Sequence, residues 1–240
     1  MVNTQKHADA ACQGCIGYEL NLCRTLRLLG PEGAPAGLPF REHKMPARRL
    51  IWRAHETVET FPVVCDGWAA TAVTLSDGRR QILSFVLPGE IVSAYLIVEP
   101  VITCSVEAVT NLRYRTFARA DVKAALGQCP DLIAMLGNIR NEETMRADQL
   151  AVDLGQRDAA ERIARLIVSL SERLARRGLV RDGTFEFPLR QHHIADATGL
   201  TVVHAGKVLT EFRRAGLMEI NGRALTLIDA AGLRRVGEMH

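Results

Sequence analysis

The stretch that most constrains this chain runs from Gln191 to Gly216, QHHIADATGLTVVHAGKVLTEFRRAG. Its residue order spells helix, tight turn, helix. Gln191 to Thr198 suits a short helix with Ile194 and Ala195 turned inward. Gly199 interrupts it, because a residue without a β-carbon takes the left-handed conformation at a helix end without steric cost. Leu200 fills the corner. Thr201 is placed to cap a second helix, its hydroxyl accepting from a free backbone N–H. That helix sets Val202, Ala205, Val208, Leu209 and Phe212 on one apolar stripe. The opposite face carries Val203, His204, Gly206, Lys207 and Thr210, and Gly216, after Arg213 and Arg214, ends the helix. MEINGRALTLI follows, two short alternating runs about Asn221-Gly222, a strong hairpin signal. Helix, turn, helix and hairpin in that order make a winged helix-turn-helix, which packs one helix face and leaves the other free to enter the major groove.

A helix-Gly-helix corner alone is common. The hairpin behind it and the distribution of charge set this one apart. Residues 156–240 hold 14 Lys and Arg against 10 Asp and Glu, whereas residues 1–155 hold 16 against 17. The basic half is the half with the motif, as phosphate binding requires. The net charge of the whole chain, +3, carries little by itself.

The chain's 240 residues allow one large or two modest domains, and 48% hydrophobic residues suffice for a core. Aromatic content of 5% argues against a surface for stacking single-stranded bases. No apolar run approaches membrane-spanning length, and MVNTQKHADA lacks the apolar core of a signal peptide, so a cytoplasmic location is expected. There, six cysteines read as thiols or metal ligands rather than as a disulfide frame. Three of them, Cys12, Cys15 and Cys23, lie in CQGCIGYELNLC. The Cys-x-x-Cys step lets two thiolates reach one metal or cluster, and Cys104, Cys65, Cys129 or His7 are candidates for a fourth ligand. The alternative is a reduced terminal arm.

Residues 30–40, GPEGAPAGLPF, read as a linker. Residues 44–120 carry short alternating runs parted by Asp66-Gly67, Ser76-Asp77-Gly78 and Pro88-Gly89, the pattern of an antiparallel barrel or roll. Gly67 and Gly89 are expected at positive φ, and Arg79 and Arg80 as solvated charges at a hairpin mouth. A short helix over 120–126 is followed by a long one from Pro130 to Leu154. In it Leu132, Met135, Leu136 and Ile139 are spaced for a seam, either between two copies of the chain or against its own roll, with RNEET as a polar interruption. Residues 157–177 form a further helix, with its arginines facing outward and Gly178 as its stop. TFEFPL, 184–189, is a strand able to pair with the wing.

The expected fold is α+β: a cysteine-bearing arm (1–29), an antiparallel β-roll (30–129), a long dimerisation helix (130–155) and a winged helix-turn-helix (156–240). In this order the parts resemble the Crp/Fnr family of bacterial transcription regulators, most densely in DGRRQILSFVLPGEIVS, AAERIARLIVSLSERLARRG and HHIADATGLTVVHAGKVLTEFRRAGLM. The resemblance implies a roll like that of cyclic-nucleotide-binding proteins, a homodimer on a pseudo-palindromic double-stranded DNA site, and contacts with RNA polymerase. Family members that hold cyclic nucleotides carry an Arg-Ser or Arg-Thr pair after a Gly-Glu segment. Here PGEIVSAYLIVEP keeps Gly89 and Glu90 but brings no Arg, so no cyclic nucleotide is expected. Cys12, Cys15 and Cys23 look like the arm of the oxygen-sensing Fnr branch, which implies an iron–sulfur cluster of the [4Fe–4S] kind. The family's fourth cysteine aligns with Tyr114, and Cys104 is the remaining candidate. In the recognition helix, Val203-His204-Ala205-Gly206-Lys207 stands where the family often presents Glu-x-x-Ser-Arg. Lys207 can reach guanine acceptors or a phosphate, Val203 only a thymine methyl, and His204 a base edge. Thr201 flanks them, and Arg190, Arg213, Arg214 and Arg223 are either phosphate contacts or ordinary surface charges. No nucleophile–base pair or convergent acid pair points to an enzyme.

Overall fold

The computed structural model describes residues 38–238. Cys12, Cys15 and Cys23, and the arm that carries them, lie outside these residues. The described chain forms two compact units. One extends to Thr71 and resumes from Phe85 to Thr144; the other combines Ala72–Ser84 with everything from Met145 onward.

The first unit is built on β-strands. β1 (Phe40–Met45), β7 (Leu112–Ala118) and β3 (Thr60–Asp66) form one antiparallel sheet in the order β1-β7-β3. A second sheet runs β2 (Leu50–Trp52), β6 (Ser105–Ala108), β4 (Ala69–Thr74), β5 (Arg80–Val86). β3, TFPVVCD, is buried along nearly its whole length rather than on alternate residues. It is covered on both faces. Phe61 and Val63 enter a cluster with Phe117 and Ile97, while Val64 enters another with Tyr114, Val86 and Val106. A short continuous apolar run is what such a strand requires. The loop expected over 30–40 already belongs to this fold at its end: Leu38 is buried in the first cluster and Phe40 opens β1.

Gly67 and Gly89 take φ of 78° and 85°, as the turn signals predict. Gly67 is also a site of close approach, discussed below. After β7 come α1 (Arg119–Leu126) and α2 (Pro130–Gln156). The N-terminal half of α2 follows one of the two readings of its apolar spacing. Leu132 and Leu136 are buried against Phe61, Val63 and Phe117, and Met135 and Ile139 pack on the same cluster. That quartet packs against the roll of its own chain. The residues α2 leaves exposed include Ala134, Asn138, Asn141, Met145, Asp148 and Val152, which recur at alternating steps of four and three.

The second unit contains α3 (Ala159–Ala175), β8 (Thr184–Glu186), α4 (Gln191–Thr198), α5 (Val202–Arg214), β9 (Met218–Asn221), β10 (Ala224–Leu227) and α6 (Ala230–Glu238). Asp158 caps α3 through a capping box with Glu161. Ile163, Ile167, Leu170 and Leu174 line its buried side. Its arginines do not all face outward: Arg173 is 6% exposed. β8 pairs with β10 and β10 with β9, so TFE does join the wing. Asn221 and Ala224 close the hairpin, with Gly222 at φ 61° as its first turn residue.

The division between the units falls inside α2, at 144/145, not at the helix junction near 155. Two things move it. The N-terminal half of α2 is committed to the first cluster, and the tip of the β4–β5 hairpin is bonded to the winged-helix unit.

Candidate nucleic-acid interface

α4 and α5 form the corner the sequence specifies. Gly199 caps α4 at φ 67°, and the Leu200 N–H donates to the Ala195 carbonyl at 3.0 Å. Thr201 Oγ1 accepts from the His204 N–H at 3.2 Å and starts α5. Thr201 therefore acts as a cap. Ala205, Val208, Leu209 and Phe212 are buried. Val202 is not: it is 45% exposed in the first turn, before the helix reaches the body of the domain. On the outer face Val203 is 70% exposed, and His204 and Lys207 are exposed beside it. Gly206 lies between them, half-buried, because the Gln191 side chain of α4 lies over it.

The first helix is held at both ends. At its start the backbone N–H of Arg190 donates to His193 Nδ1 at 3.1 Å, and the His193 ring is buried. At its end the carbonyls left without intrahelical partners find donors. Gln81 Nε2 donates to the Ala197 carbonyl at 3.1 Å, and Arg162 Nη1 donates to the Thr198 carbonyl at 3.2 Å. Arg80, expected as a solvated hairpin charge, is mostly covered and pairs with Asp196 at 3.8 Å. Burial pushes the Asp196 carboxyl above its usual range, while Arg80 and His192 pull it back. Arg79 does stay in solvent and closes its own turn on Asp77 at 2.7 Å. The sequence gives no sign of Gln81 or Arg162 as supports of α4, because each works on a segment distant in the chain.

The cations expected to reach phosphates divide by their partners. Arg190, Arg213 and Arg214 are exposed, with Arg213 Nη2 donating to Thr210 Oγ1 at 3.3 Å. Arg223, at the wing tip, pairs with Glu186 at 2.7 Å and must trade that carboxylate for a phosphate to touch DNA. At the foot of the unit, Asp153 pairs with Arg157 at 2.8 Å and Arg165 at 3.0 Å. Arg157 Nη1 also donates to the Gly237 carbonyl at 2.9 Å, tying α6 to the end of α2.

The profile of the Crp-like helix-turn-helix domain matches residues 161–236, and that of the cyclic nucleotide-binding domain matches residues 42–129. The chain belongs to the Crp/Fnr family of transcription regulators. It is 28% identical over 235 residues to the transcriptional activator protein FnrA of Stutzerimonas stutzeri, covering 97% of this chain and 94% of that one. It is 25% identical over 207 residues to the anaerobic regulatory protein of Haemophilus influenzae, covering 80% and 75%. Among solved structures, FixK2 from Bradyrhizobium japonicum superposes with a TM-score of 0.77 at 25% identity, over 85% of this chain and all of that one. The match to the cyclic nucleotide-binding domain falls on the β-sheet unit, and α4 and α5 lie within the match to the helix-turn-helix domain. No described helix is long and apolar enough to cross a membrane.

Of the candidates for a fourth cluster ligand, Cys104, Cys65 and Cys129 lie among the described residues, as does Tyr114, which stands where the family's cysteine aligns. Cys104 is half-buried on the cluster that holds Val64 and Val106, and burial pushes its thiol up although a hydrogen bond with Thr71 opposes this. Tyr114 is 7% exposed, stacked on His43 at 4.8 Å and edge-on to Trp52 at 5.7 Å. It serves the roll's interior.

Proposed function

We propose that this Crp/Fnr regulator binds a pseudo-palindromic duplex as a homodimer and answers to oxygen or redox state through its cysteine arm. The observation that carries the DNA-binding part is α5: four residues buried on one side, and Val203, His204 and Lys207 free on the other. Each copy presents one such helix to one half-site, so coupling two helices multiplies a modest change at the dimer interface into a large change in affinity. The exposed stripe of α2 from Ala134 to Val152, at heptad-like spacing, is the face proposed to meet a second copy. RNA polymerase is the proposed downstream partner, and the cytoplasm the proposed location.

The redox part rests on the spacing of Cys12, Cys15 and Cys23 and on the name of the anaerobic regulatory protein to which the chain is similar. An iron–sulfur cluster on these three is proposed. Cys104 is the proposed fourth ligand. The roll is not proposed to hold a cyclic nucleotide. Glu90 accepts from the Leu87 N–H at 2.9 Å and closes its own turn, and no Arg stands between Ile91 and Pro100.

Two measurements test this. Fluorescence anisotropy on promoter duplexes across salt concentrations should show a steep loss of binding as salt rises. Lys207→Ala should weaken binding about tenfold with the fold intact; unchanged affinity removes α5 as the reading helix. Iron and sulfide analysis of anaerobically purified protein, repeated in air, should find both and then lose them. Neither element in the anaerobic sample ends the cluster proposal.

A further inference from the structure

Gly206 lies on the outward face of α5, one turn after Val203 and one turn before Thr210, where a DNA-reading helix would normally present a side chain. It presents none. In its place lies Gln191, the first residue of α4. Gln191 Oε1, Cδ and Nε2 stand 3.1, 3.2 and 3.2 Å from the point a β-carbon on residue 206 would occupy. Three carboxamide atoms at nearly one distance place the amide flat over the glycine, where a side chain on residue 206 would otherwise stand. Gln191 is exposed, and among the described residues its carboxamide makes no hydrogen bond.

We propose that Gln191 is a specificity-determining residue: its carboxamide, seated in the notch above Gly206, reads an adenine in the major groove of each half-site. This rests on the DNA-binding reading above. The chemistry favours a base over a phosphate. A carboxamide carries a donor and an acceptor side by side, which matches adenine N7 and N6–H as a bidentate pair. A phosphate would use only the Nε2 donor and would set the Oε1 acceptor against an anion. Gly206 is the enabling residue, since any side chain there displaces the amide. Neighbouring Val203 offers only a methyl contact, so the adenine would otherwise have no polar reader at this point of the helix.

The experiment is site selection by the full chain from randomised duplexes, followed by anisotropy on the selected site with each base pair changed in turn. The wild type is expected to demand an A·T pair at one position of each half-site. Gln191→Ala should lower discrimination at that position by about tenfold or more and leave the other positions alone. Gly206→Ala should do the same, and the double variant should be no worse than either single one, since both remove one contact. Gln191→Glu should exchange adenine for cytosine, whose N4–H₂ suits a carboxylate acceptor. Thermal unfolding of each variant checks the fold. If Gln191→Ala keeps the wild-type preference, or weakens every duplex equally with a smaller salt slope as a phosphate contact would, the assignment of Gln191 is overturned while DNA binding stands. A wild type with no salt-dependent duplex binding overturns the DNA-binding reading itself.

Discussion

A β-carbon at position 67 would lie 2.2 Å from the Asn111 carbonyl oxygen and 2.6 Å from Thr110 Oγ1, at a φ of 78°. Backbone, not a flexible tip, stands in the way. Gly67→Ala should therefore cost more than about 2 kcal/mol in chemical denaturation, from strain plus collision. Gly206→Ala should behave in the opposite way. The three atoms nearest its added β-carbon all belong to the end of the exposed Gln191 side chain, and alanine in a helix interior gains up to about 1 kcal/mol over glycine. It should raise the melting temperature while blunting base discrimination, a combination that simple damage to the fold does not produce. The buried hydroxyl of Tyr114 and the thiol of Cys104 are both pushed up by desolvation. The unfolded chain then releases these protons first. Their contribution to stability is intact below the ordinary thiol range and is lost as pH rises through and beyond about 8.5 to 10; urea midpoints across that range should fall with pH. At this scale the chain was partly legible. Thr201, Gly199 and Gly222 declare themselves because cap and turn chemistry is local. Arg80, Arg173 and Val202 do not, because their exposure depends on segments far away in sequence.

For single elements, α2 shows what periodicity does and does not reveal. Its apolar spacing identifies a helix with one buried face, but spacing alone does not say whether that face meets its own chain or a copy. The partner became visible only when Leu132 and Leu136 were found against Phe61 and Phe117. The exposed stripe of the same helix has small and polar members, Ala134, Asn138, Asn141 and Asp148, with Met145 and Val152 as its larger apolar ones. Such a face gives a weak pairing. Asp148→Leu should tighten self-association, because it removes a charge from the surface to be buried, and Met145→Asp should loosen it, each by about 1–3 kcal/mol. Sedimentation equilibrium reads both. Matching dimer constants for the two variants would place the interface on another face. The winged hairpin, by contrast, was legible to within one residue: a turn signal between two alternating runs leaves few alternatives, but the turn residues are Gly222 and Arg223, with Asn221 ending β9.

On the scale of the whole molecule, the hairpin tip Ala72–Ser84 belongs by packing to the DNA-binding unit, although by sequence it lies in the middle of the β-strands. No composition shift or linker marks this, because the link includes a hydrogen bond from Gln81 to the end of α4 and an ion pair of Arg80 with Asp196. A fragment beginning at Met145 lacks those donors. It should unfold at a lower temperature than the same unit in the full chain, by the equivalent of about 1–2 kcal/mol. Gln81→Ala in the full chain should reproduce part of that loss. A fragment as stable as the full chain's transition would show that the hairpin contributes nothing to α4.

The two-faced burial of β3 has a consequence for how the protein tolerates change. Most strands offer every second residue to solvent, where many substitutions pass unnoticed. From Phe61 to Cys65 each side chain is covered, with Phe61 and Val63 in one cluster and Val64 in the other. A saturation-mutagenesis map should therefore show one unbroken intolerant band there and a comb along β8 and β9. Natural drift in such a segment is confined to swaps that conserve volume on both sides at once, so β3 should be the slowest-changing ribbon of the sheet unit while the surface around it turns over.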